Sequence, residues 1–316
     1  MNTKNKAFTL TALISAAAAS TAFLNKYIDI SAASKNLLGN TPAHTFKWRL
    51  GEVSYTKEGA GKPLLLVHDF YLASSGYEWH LAVKLLKKYY TVYTIDLLGF
   101  GRSEKPNLTY TNYLYVQLLS DFIRTVIGHR TSIVTTGASA SLAVMACSIN
   151  SELFDKLAFI NPEPLSACGQ LHGKNTRIYK FILDFPIIGT LLYHIASSRE
   201  LITQSFIQDF FCSSSSLKPV FIDAYYESAH LGSCPKAVFS SMECCYTRCN
   251  ISPALKKIDN SIYILGGTQK PGIKNTIQEY QEINPAVEYA LIPKSKHLPQ
   301  LEQPEQLVKQ LLILFA

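Results

Sequence analysis

The sequence lacks the patterns that most often identify a cofactor or a nucleic-acid partner. It contains no glycine-rich phosphate loop, no dinucleotide-binding fingerprint and no Cys and His cluster at zinc-ligand spacing. The formal charge of +7 is modest, and no basic run is interleaved with aromatic residues. The composition therefore predicts no metal ion, no organic cofactor and no nucleic-acid partner.

Cysteine is present but shows no regular spacing. The seven Cys are odd in number, and Cys244, Cys245 and Cys249 lie close together without a disulfide framework. We interpret them mostly as small buried apolar residues, with at most one or two disulfides. With 47% hydrophobic residues among 316, the chain can bury a sizeable core. That length fits one large α/β domain with an insertion, or two small domains.

Charged residues are also missing between Ala7 and Leu24, a run that follows Lys4 and Lys6. Such a run fits a membrane anchor of minimal length or a secretory signal peptide, and a frayed helix of a soluble protein is a less favoured alternative. The lysines orient the N-terminus to the cytoplasm. We expect membrane association through this single segment, 1–26, with an extracytoplasmic body, or secretion after cleavage. Residues 27–45 are predicted to be a linker.

From residue 46 onward, short apolar runs alternate with segments of helical periodicity. This alternation predicts an α/β fold with a largely parallel sheet, built from 46–164 and 251–316. Residues 165–250 are helical in pattern and rich in aromatics, which predicts a helical cap inserted into that core. The predicted strands cover 46–55, 63–68, 90–96, 133–136, 157–161, 261–267 and 286–292, and the predicted core helices cover 77–88, 113–128, 142–147 and 305–315.

One predicted strand runs directly into a helix through Gly137-Ala138-Ser139-Ala140-Ser141. A Ser at a sharp strand-to-helix turn, with small residues two positions away on each side, is typical of a nucleophile elbow. The usual motif ends in Gly, so that Ser141 makes this a near match. A helix N-cap would also account for Ser139.

Three further stretches accompany the elbow in the expected order: Leu64–Trp79, the loop Asp96–Ser103, and Lys296–Glu305. With them the chain resembles the α/β-hydrolase superfamily, over about 46–316. It is most similar to the capped branch that includes serine esterases, carbon–carbon bond hydrolases, epoxide hydrolases and haloalkane dehalogenases. The resemblance implies an α/β-hydrolase fold, with a mostly parallel central sheet, helices on both faces and a helical cap insertion.

The resemblance also implies a set of catalytic positions. Ser139 corresponds to the nucleophile and His297 to its base, since a serine hydroxyl needs a base beside it. Glu163, in Asn-Pro-Glu-Pro, is the candidate acid that orients the imidazole. The backbone N–H groups of Phe70 and Ala140 correspond to the oxyanion hole.

The sequence departs from the family pattern at two places that matter for this site. Asp69 follows His68 where relatives usually have Gly, which brings a carboxylate close to the expected oxyanion hole. Lys270 stands where most relatives have the acid of the triad. Some relatives place that acid after the preceding core strand, near Asn161 and Glu163.

A Ser nucleophile favours acyl transfer to water, whereas epoxide hydrolases and dehalogenases have an Asp at the elbow. We therefore expect a serine hydrolase that cleaves a small or medium apolar acyl ester through an acyl-enzyme on Ser139. Two alternatives stay open: a non-catalytic relative that acts as a binding or scaffold protein, and a hydrolase of carbon–carbon bonds next to a carbonyl.

Overall fold

An eight-stranded sheet lies at the centre of the computed structural model, which describes residues 19–39, 43–171 and 173–315. The strand order is β1-β2-β4-β3-β5-β6-β7-β8; the pairs β1–β2 and β2–β4 are antiparallel and all other pairs are parallel. The mostly parallel sheet that the sequence predicts is thus confirmed. The strands are β1 (His44–Trp48), β2 (Gly51–Glu58), β3 (Lys62–Val67), β4 (Tyr90–Ile95), β5 (Thr131–Thr136), β6 (Phe154–Ile160), β7 (Ser261–Gly267) and β8 (Glu288–Ile292).

Helices cover both faces of this sheet, and each face has its own apolar core. In β3 the four residues Leu64 to Val67 are all fully buried, as expected of a parallel strand that is covered on both sides. Between β6 and β7 the chain forms α5 to α11, which include the predicted cap. The helices are α1 (19–32), α2 (His80–Leu86), α3 (Asn112–Phe122), α4 (Ala140–Ile149), α5 (Leu165–Cys168), α6 (Thr176–Asp184), α7 (Ile188–Ala196), α8 (Arg199–Ser205), α9 (Pro219–His230), α10 (Lys236–Glu243), α11 (Ser252–Leu255), α12 (Ile273–Ile283), α13 (Pro299–Glu302) and α14 (Pro304–Leu314).

One predicted strand is divided in the structure. The single strand predicted over 46–55 is the hairpin β1–β2, because the chain turns at 49–50 and enters β2 at Gly51 with a φ of +152°.

All seven Cys lie among the described residues and are free thiols, so that the fold contains none of the disulfides allowed for above.

In the segment predicted as a linker, 27–45, the described residues 27–39 lie against the cap. Residues 27–32 belong to α1, and the chain beyond it binds α9 through Glu227. This buried carboxylate accepts hydrogen bonds from the backbone N–H groups of Leu37 at 2.7 Å and Leu38 at 3.1 Å. Composition alone did not predict these contacts, because they depend on a helix almost 200 residues away in the chain.

The predicted N-terminal membrane segment, 1–26, lies for the most part outside the described residues, which begin at residue 19. Within the described part, no single helix has both the length and the hydropathy to cross a membrane. The pair α6 and α7 meets both criteria together, but the two helices are bent by 90° at their junction.

Candidate active site

The register of the sheet brings two loops together at the carboxyl ends of neighbouring strands. In the parallel pair β3–β5, Val67 lies beside Thr135. Two residues further along each strand are Asp69 and Gly137. Because parallel strands end at the same edge of a sheet, Asp69 lies directly against the strand-to-helix turn that follows β5.

The apex of that turn is Gly137 and not Ser139, which corrects the predicted elbow. Gly137 has a φ of +55°, the left-handed backbone of a sharp turn, whereas Ser139 has an ordinary helical φ of −64°. A Cβ built on Gly137 would overlap the carboxylate of Asp69. The Asp69 carboxylate therefore occupies the space that the side chain of an elbow nucleophile would need.

Three contacts hold the Asp69 carboxylate in this position. Its Oδ1 accepts hydrogen bonds from the backbone N–H of Phe70 at 2.7 Å and of Ala138 at 3.0 Å. Its Oδ2 lies 2.7 Å from Nε2 of His297. Burial alone raises the pKa of Asp69, but the hydrogen bonds from His297, Ala138 and Phe70 outweigh it and hold the pKa below its usual value. Asp69 is therefore a buried, ionised carboxylate.

Ser139 is not brought to His297. The hydroxyl of Ser139 is fully buried and donates a hydrogen bond of 2.5 Å to the backbone carbonyl of His68. The physical reason is the position of the apex: two residues beyond it, a side chain points back under the loop after β3. The predicted Ser139–His297 pair is thus replaced by the Asp69–His297 pair.

The two N–H groups predicted to form an oxyanion hole donate to different acceptors. The N–H of Phe70 points into the site as expected, although the acceptor is the Asp69 carboxylate. The N–H of Ala140 instead bonds the carbonyls of Ala138 and Gly137 within the turn. The second donor is Ala138, since it is the residue that follows the true apex.

His297 lies on the loop between β8 and α13 and is fixed from two sides. Its backbone N–H donates to the carbonyl of Phe210 at 3.0 Å, and the Phe210 ring stacks on the imidazole with centroids 5.3 Å apart. Asn161, at the end of β6, donates from Nδ2 to the carbonyls of Lys296 at 2.8 Å and His297 at 3.0 Å. Its Oδ1 accepts from the N–H of Gly267. Asn161 therefore clamps the histidine loop to β7.

The acid predicted behind the imidazole does not contact it. Nδ1 of His297 is buried and has no hydrogen-bond partner among the described residues. Glu163 instead lies 3.9 Å from a guanidinium nitrogen of Arg248, and burial raises the pKa of Glu163. The structure places Glu163 in the wall of the same cavity rather than in a triad. Among the described residues, no carboxylate therefore orients His297 through Nδ1.

A second buried carboxyl, Glu78, lies behind Asp69. Its Oε2 accepts a hydrogen bond of 3.3 Å from the backbone N–H of Asp69, and its Oε1 accepts one of 3.2 Å from Gln300. Burial and the neighbouring charge of Asp69 raise the pKa of Glu78 to about 8. Sequence patterns did not single out Glu78, since an acid in the first turn of a helix ordinarily faces solvent.

A cavity of about 650 Å³ opens onto Asp69 and His297. Ser139 is absent from the described residues that line it, whereas Gly137 and Ala138 form part of its floor. Lys270, in the wall, has its pKa lowered by burial against the opposing effect of Asp69. The ionisable groups of the wall are Asp69, Glu163, Asp209, Lys270, Glu279 and His297.

Comparison with known proteins identifies the family to which this chain belongs. Residues 64–310 match the Alpha/beta hydrolase family. A 2-hydroxy-6-oxo-6-(2'-aminophenyl)hexa-2,4-dienoic acid hydrolase of Metapseudomonas resinovorans is 30% identical over 111 residues, and a soluble epoxide hydrolase of Corynebacterium sp. (strain C12) is 26% identical over 114 residues. These alignments span 34% and 35% of this chain and only 38% of the length of each relative.

Solved structures with the same fold cover far more of the chain. A serine hydrolase of carbazole degradation, the CarC enzyme, superposes with a TM-score of 0.71 at 18% identity, over 87% of this chain and 98% of its own. A bacterial membrane phospholipase A superposes with a TM-score of 0.67 at 18% identity, over 99% of this chain and 98% of its own. Such identities establish the fold alone. Because the family match spans most of the sequence, the chain belongs to the alpha/beta hydrolase family.

Proposed function

We propose that this protein is a hydrolase whose nucleophile is Asp69, supplied by the loop after β3 in place of an elbow side chain. The observation that carries the proposal is the binding of the Asp69 carboxylate. One oxygen is held by the N–H groups of Phe70 and Ala138, and the other faces His297 at the cavity. Carboxylates are established nucleophiles in covalent catalysis.

In the first step, Oδ2 of Asp69 attacks an electrophilic sp³ carbon of the substrate. A new C–O bond forms as the bond from that carbon to its leaving group breaks, and the leaving group takes the electron pair. The product is an alkyl ester on Asp69. A strained ring oxygen or a halide suits this step. An ester of an ordinary alcohol does not suit this nucleophile, because attack at its acyl carbon would require the carboxylate to displace an alkoxide, which is a much stronger base.

In the second step, His297 takes a proton from water as the water attacks Cγ of Asp69. The negative charge develops on Oδ1, to which the N–H groups of Phe70 and Ala138 already donate. Collapse expels the product alcohol, which takes up the proton from His297, and leaves Asp69 as a carboxylic acid. Loss of the second proton of the water, to solvent or, after epoxide opening, to the Tyr71 oxide, restores the carboxylate. Loss of the orienting acid lowers turnover by about 10⁴ in a serine triad, so that we expect slow hydrolysis of the ester here too.

The cavity of about 650 Å³ has room for a small or medium substrate, and its wall combines apolar with ionisable side chains. An epoxide is the first choice. Tyr71 lines the same cavity, and burial raises its pKa and keeps its hydroxyl protonated. This hydroxyl donates to Ser205 at 3.3 Å and would have to turn from it to protonate a ring-opened oxygen. The soluble epoxide hydrolase of Corynebacterium, although similar over only part of its length, is consistent with this choice. Acyl transfer through Ser139 is not part of the proposal, because that hydroxyl is bonded beneath the loop.

Turnover in H₂¹⁸O tests the proposal. The full chain is incubated with terminal epoxides, 1-haloalkanes and p-nitrophenyl esters. The mass of the peptide that contains Asp69 is then measured by mass spectrometry. We expect ¹⁸O in the Asp69 carboxylate after several turnovers, and product alcohol that carries unlabelled oxygen after a single turnover. Asp69→Asn removes activity, whereas the exposed Asp259→Asn does not. Activity with label only in the product would refute a covalent ester.

A second candidate is a non-catalytic binding protein, and two observations favour it: the elbow apex is Gly137, and Nδ1 of His297 lacks a partner among the described residues. This candidate predicts no turnover of any panel member and no label in Asp69. It also predicts that ligands which raise the melting temperature of the wild type do so equally for Asp69→Asn. If the protein instead cleaves a carbon–carbon bond next to a carbonyl, ¹⁸O should appear in the released carboxylic acid and not in Asp69.

A further inference from the structure

The exposed apolar side chains of this protein are concentrated on one part of the cap. Of the 24 large apolar residues that are exposed among those described, 15 lie within 23–30 and 171–195. These two stretches together hold about a tenth of the chain. Scattered exposed apolar residues need no explanation, but a concentration of this kind marks a surface that is covered by something.

In the two cap helices, these residues form stripes that face outward. Exposed residues in and after α6, and again in α7, recur at i, i+3, i+4 and i+7, the spacing by which a helix normally hides its apolar side. The opposite sides are packed on the protein, through Leu183 of α6 and Tyr193 of α7. We define the cap apolar face as Ile178, Phe181, Ile182, Phe185, Ile188, Leu191, Leu192 and Ile195.

Charge distinguishes a lipid surface from a protein partner. Between residues 171 and 198 the basic residues are Lys174, Arg177 and Lys180, and the one acid is Asp184. Lys180 and Asp184 form an ion pair at 2.7 Å, which leaves a surplus of positive charge at the rim of the cap apolar face. An apolar stripe with basic residues at its edge is the pattern of a helix that lies in the headgroup region of an anionic bilayer.

The N-terminal helix extends this surface towards an apolar part of the chain. In α1, Phe23, Tyr27 and Ile30 are exposed at helical spacing, and Asp29 lies 4.0 Å from His194 of α7. The sequence just before the described residues, 7–18, has no charged side chain. The chain thus reaches this side of the cap with residues that prefer lipid to water.

We propose that the cap apolar face docks in the plane of a lipid bilayer with anionic headgroups. The 90° bend between α6 and α7, together with the buried inner side of each helix, fits helices that lie in the interface rather than cross it. The apolar side chains enter to a depth of roughly 5–10 Å, and the basic rim contacts the headgroups. This docking does not rest on the catalytic role of Asp69.

A tryptophan reporter on the full chain tests the docking. Phe181→Trp places the probe in the cap apolar face, where Phe181 is 68% exposed, and Tyr289→Trp is the matched control on the edge strand β8, where Tyr289 is 52% exposed. The native Trp48 and Trp79 are both buried and give a common background. With vesicles of phosphatidylcholine and phosphatidylglycerol, we expect a blue shift and quenching by brominated lipid for Phe181→Trp alone. Vesicles of phosphatidylcholine alone should give a weaker response.

Other occupants of the face would give different results, each of which overturns the proposal. Emission that is already blue-shifted without vesicles and independent of protein concentration would mean that the chain covers the face itself. A shift that grows with protein concentration, together with a dimer in light scattering, would mean a second copy. Equal quenching of both reporters would mean that the N-terminal segment alone holds the protein at the lipid. In the background of Phe181→Trp, Ile188→Ser should lower partition into mixed vesicles about fivefold.

Discussion

The claim that Asp69 fills the place of an elbow side chain predicts a specific coupling between positions 69 and 137. Gly137→Ser puts a side chain into the space that the Asp69 carboxylate occupies. The left-handed φ of +55° costs a non-glycine residue about 1 kcal/mol. Displacing the carboxylate from the N–H groups of Phe70 and Ala138 costs roughly 3 kcal/mol more, since hydrogen bonds to a charged group contribute about 1.5–3 kcal/mol each. The single variant should therefore lose ~4 kcal/mol of unfolding free energy.

Asp69→Gly removes the same two hydrogen bonds, together with the contact to His297, and should lose at least ~3 kcal/mol by itself. In the double variant these bonds can be lost only once, so that the total loss should be ~4 kcal/mol rather than the ~7 kcal/mol of independent sites. The resulting coupling energy of ~3 kcal/mol is at the upper end of what contacting residues show. Urea unfolding of the wild type, both single variants and the double variant measures it. The control is Gly128→Ser, which has a φ of +72° and no neighbour within 4 Å, and which should cost only about 1 kcal/mol.

The same double variant has a chemical readout. It puts glycine after His68, as in most relatives, and a serine at the apex of the turn. That serine lies beside the backbone N–H groups of Phe70 and Ala138. We expect a fluorophosphonate to label the double variant at position 137 and to leave the wild type unlabelled. Additive stability losses, or labelling of Ser139 in the wild type, would refute the assignment of Gly137 as the apex.

Three further predictions concern residues around the site. Ser139→Ala should cost about 1 kcal/mol of stability through the lost bond to His68 and change kcat less than twofold, and a large drop in kcat would revive Ser139 as a nucleophile. Glu78 has a folded-state pKa of about 8 against an ordinary 4.5, so that its protonated form stabilises the fold fully below pH 4.5 and this stability is lost as the pH rises through 8. Between pH 5.5 and 8 this decline is about 3 kcal/mol, and Glu78→Gln should remove it, as measured by urea unfolding at the two pH values. Equal declines in both proteins would contradict it. Asn161→Ala removes three buried hydrogen bonds that hold the loop of His297. We expect the unfolding free energy to fall by ~3 kcal/mol and kcat to fall at least tenfold, as measured by urea unfolding and by initial rates. An unchanged kcat would mean that Asn161 does not position the imidazole.

The site also depends on residues that keep the loop after β3 rigid. His68 donates from Nδ1 to the Asp69 carbonyl at 2.7 Å and accepts from the N–H of Leu97 through Nε2 at 3.0 Å. This pair of bonds fixes one neutral tautomer, and burial lowers the pKa of His68 accordingly. His68 therefore acts as a strut between two loops, and Asp69 is delivered to the turn by a rigid backbone.

The sequence by itself determined the family, the alternation of strands and helices, and the position of His297. These features are local or ordered along the chain: apolar runs of strand length, a glycine-rich turn, and a histidine after the last strand. It also revealed Asp69 and Lys270 as departures, because each stands where a relative has a different residue. What it did not reveal is which residue of Thr136-Gly137-Ala138-Ser139 stands at the apex, since several of them are small enough for a sharp turn.

Only the tertiary structure decided the partner of His297. The register of β3 against β5 sets Asp69 opposite Gly137, and a shift of one residue in either loop would have brought another side chain to the imidazole. Such a contact joins residues 228 positions apart in the chain, and it depends on backbone dihedral angles and strand pairing that no local pattern specifies. For the same reason, the outward direction of the cap apolar face is a property of how α6 and α7 pack, although its periodicity is already present in the sequence.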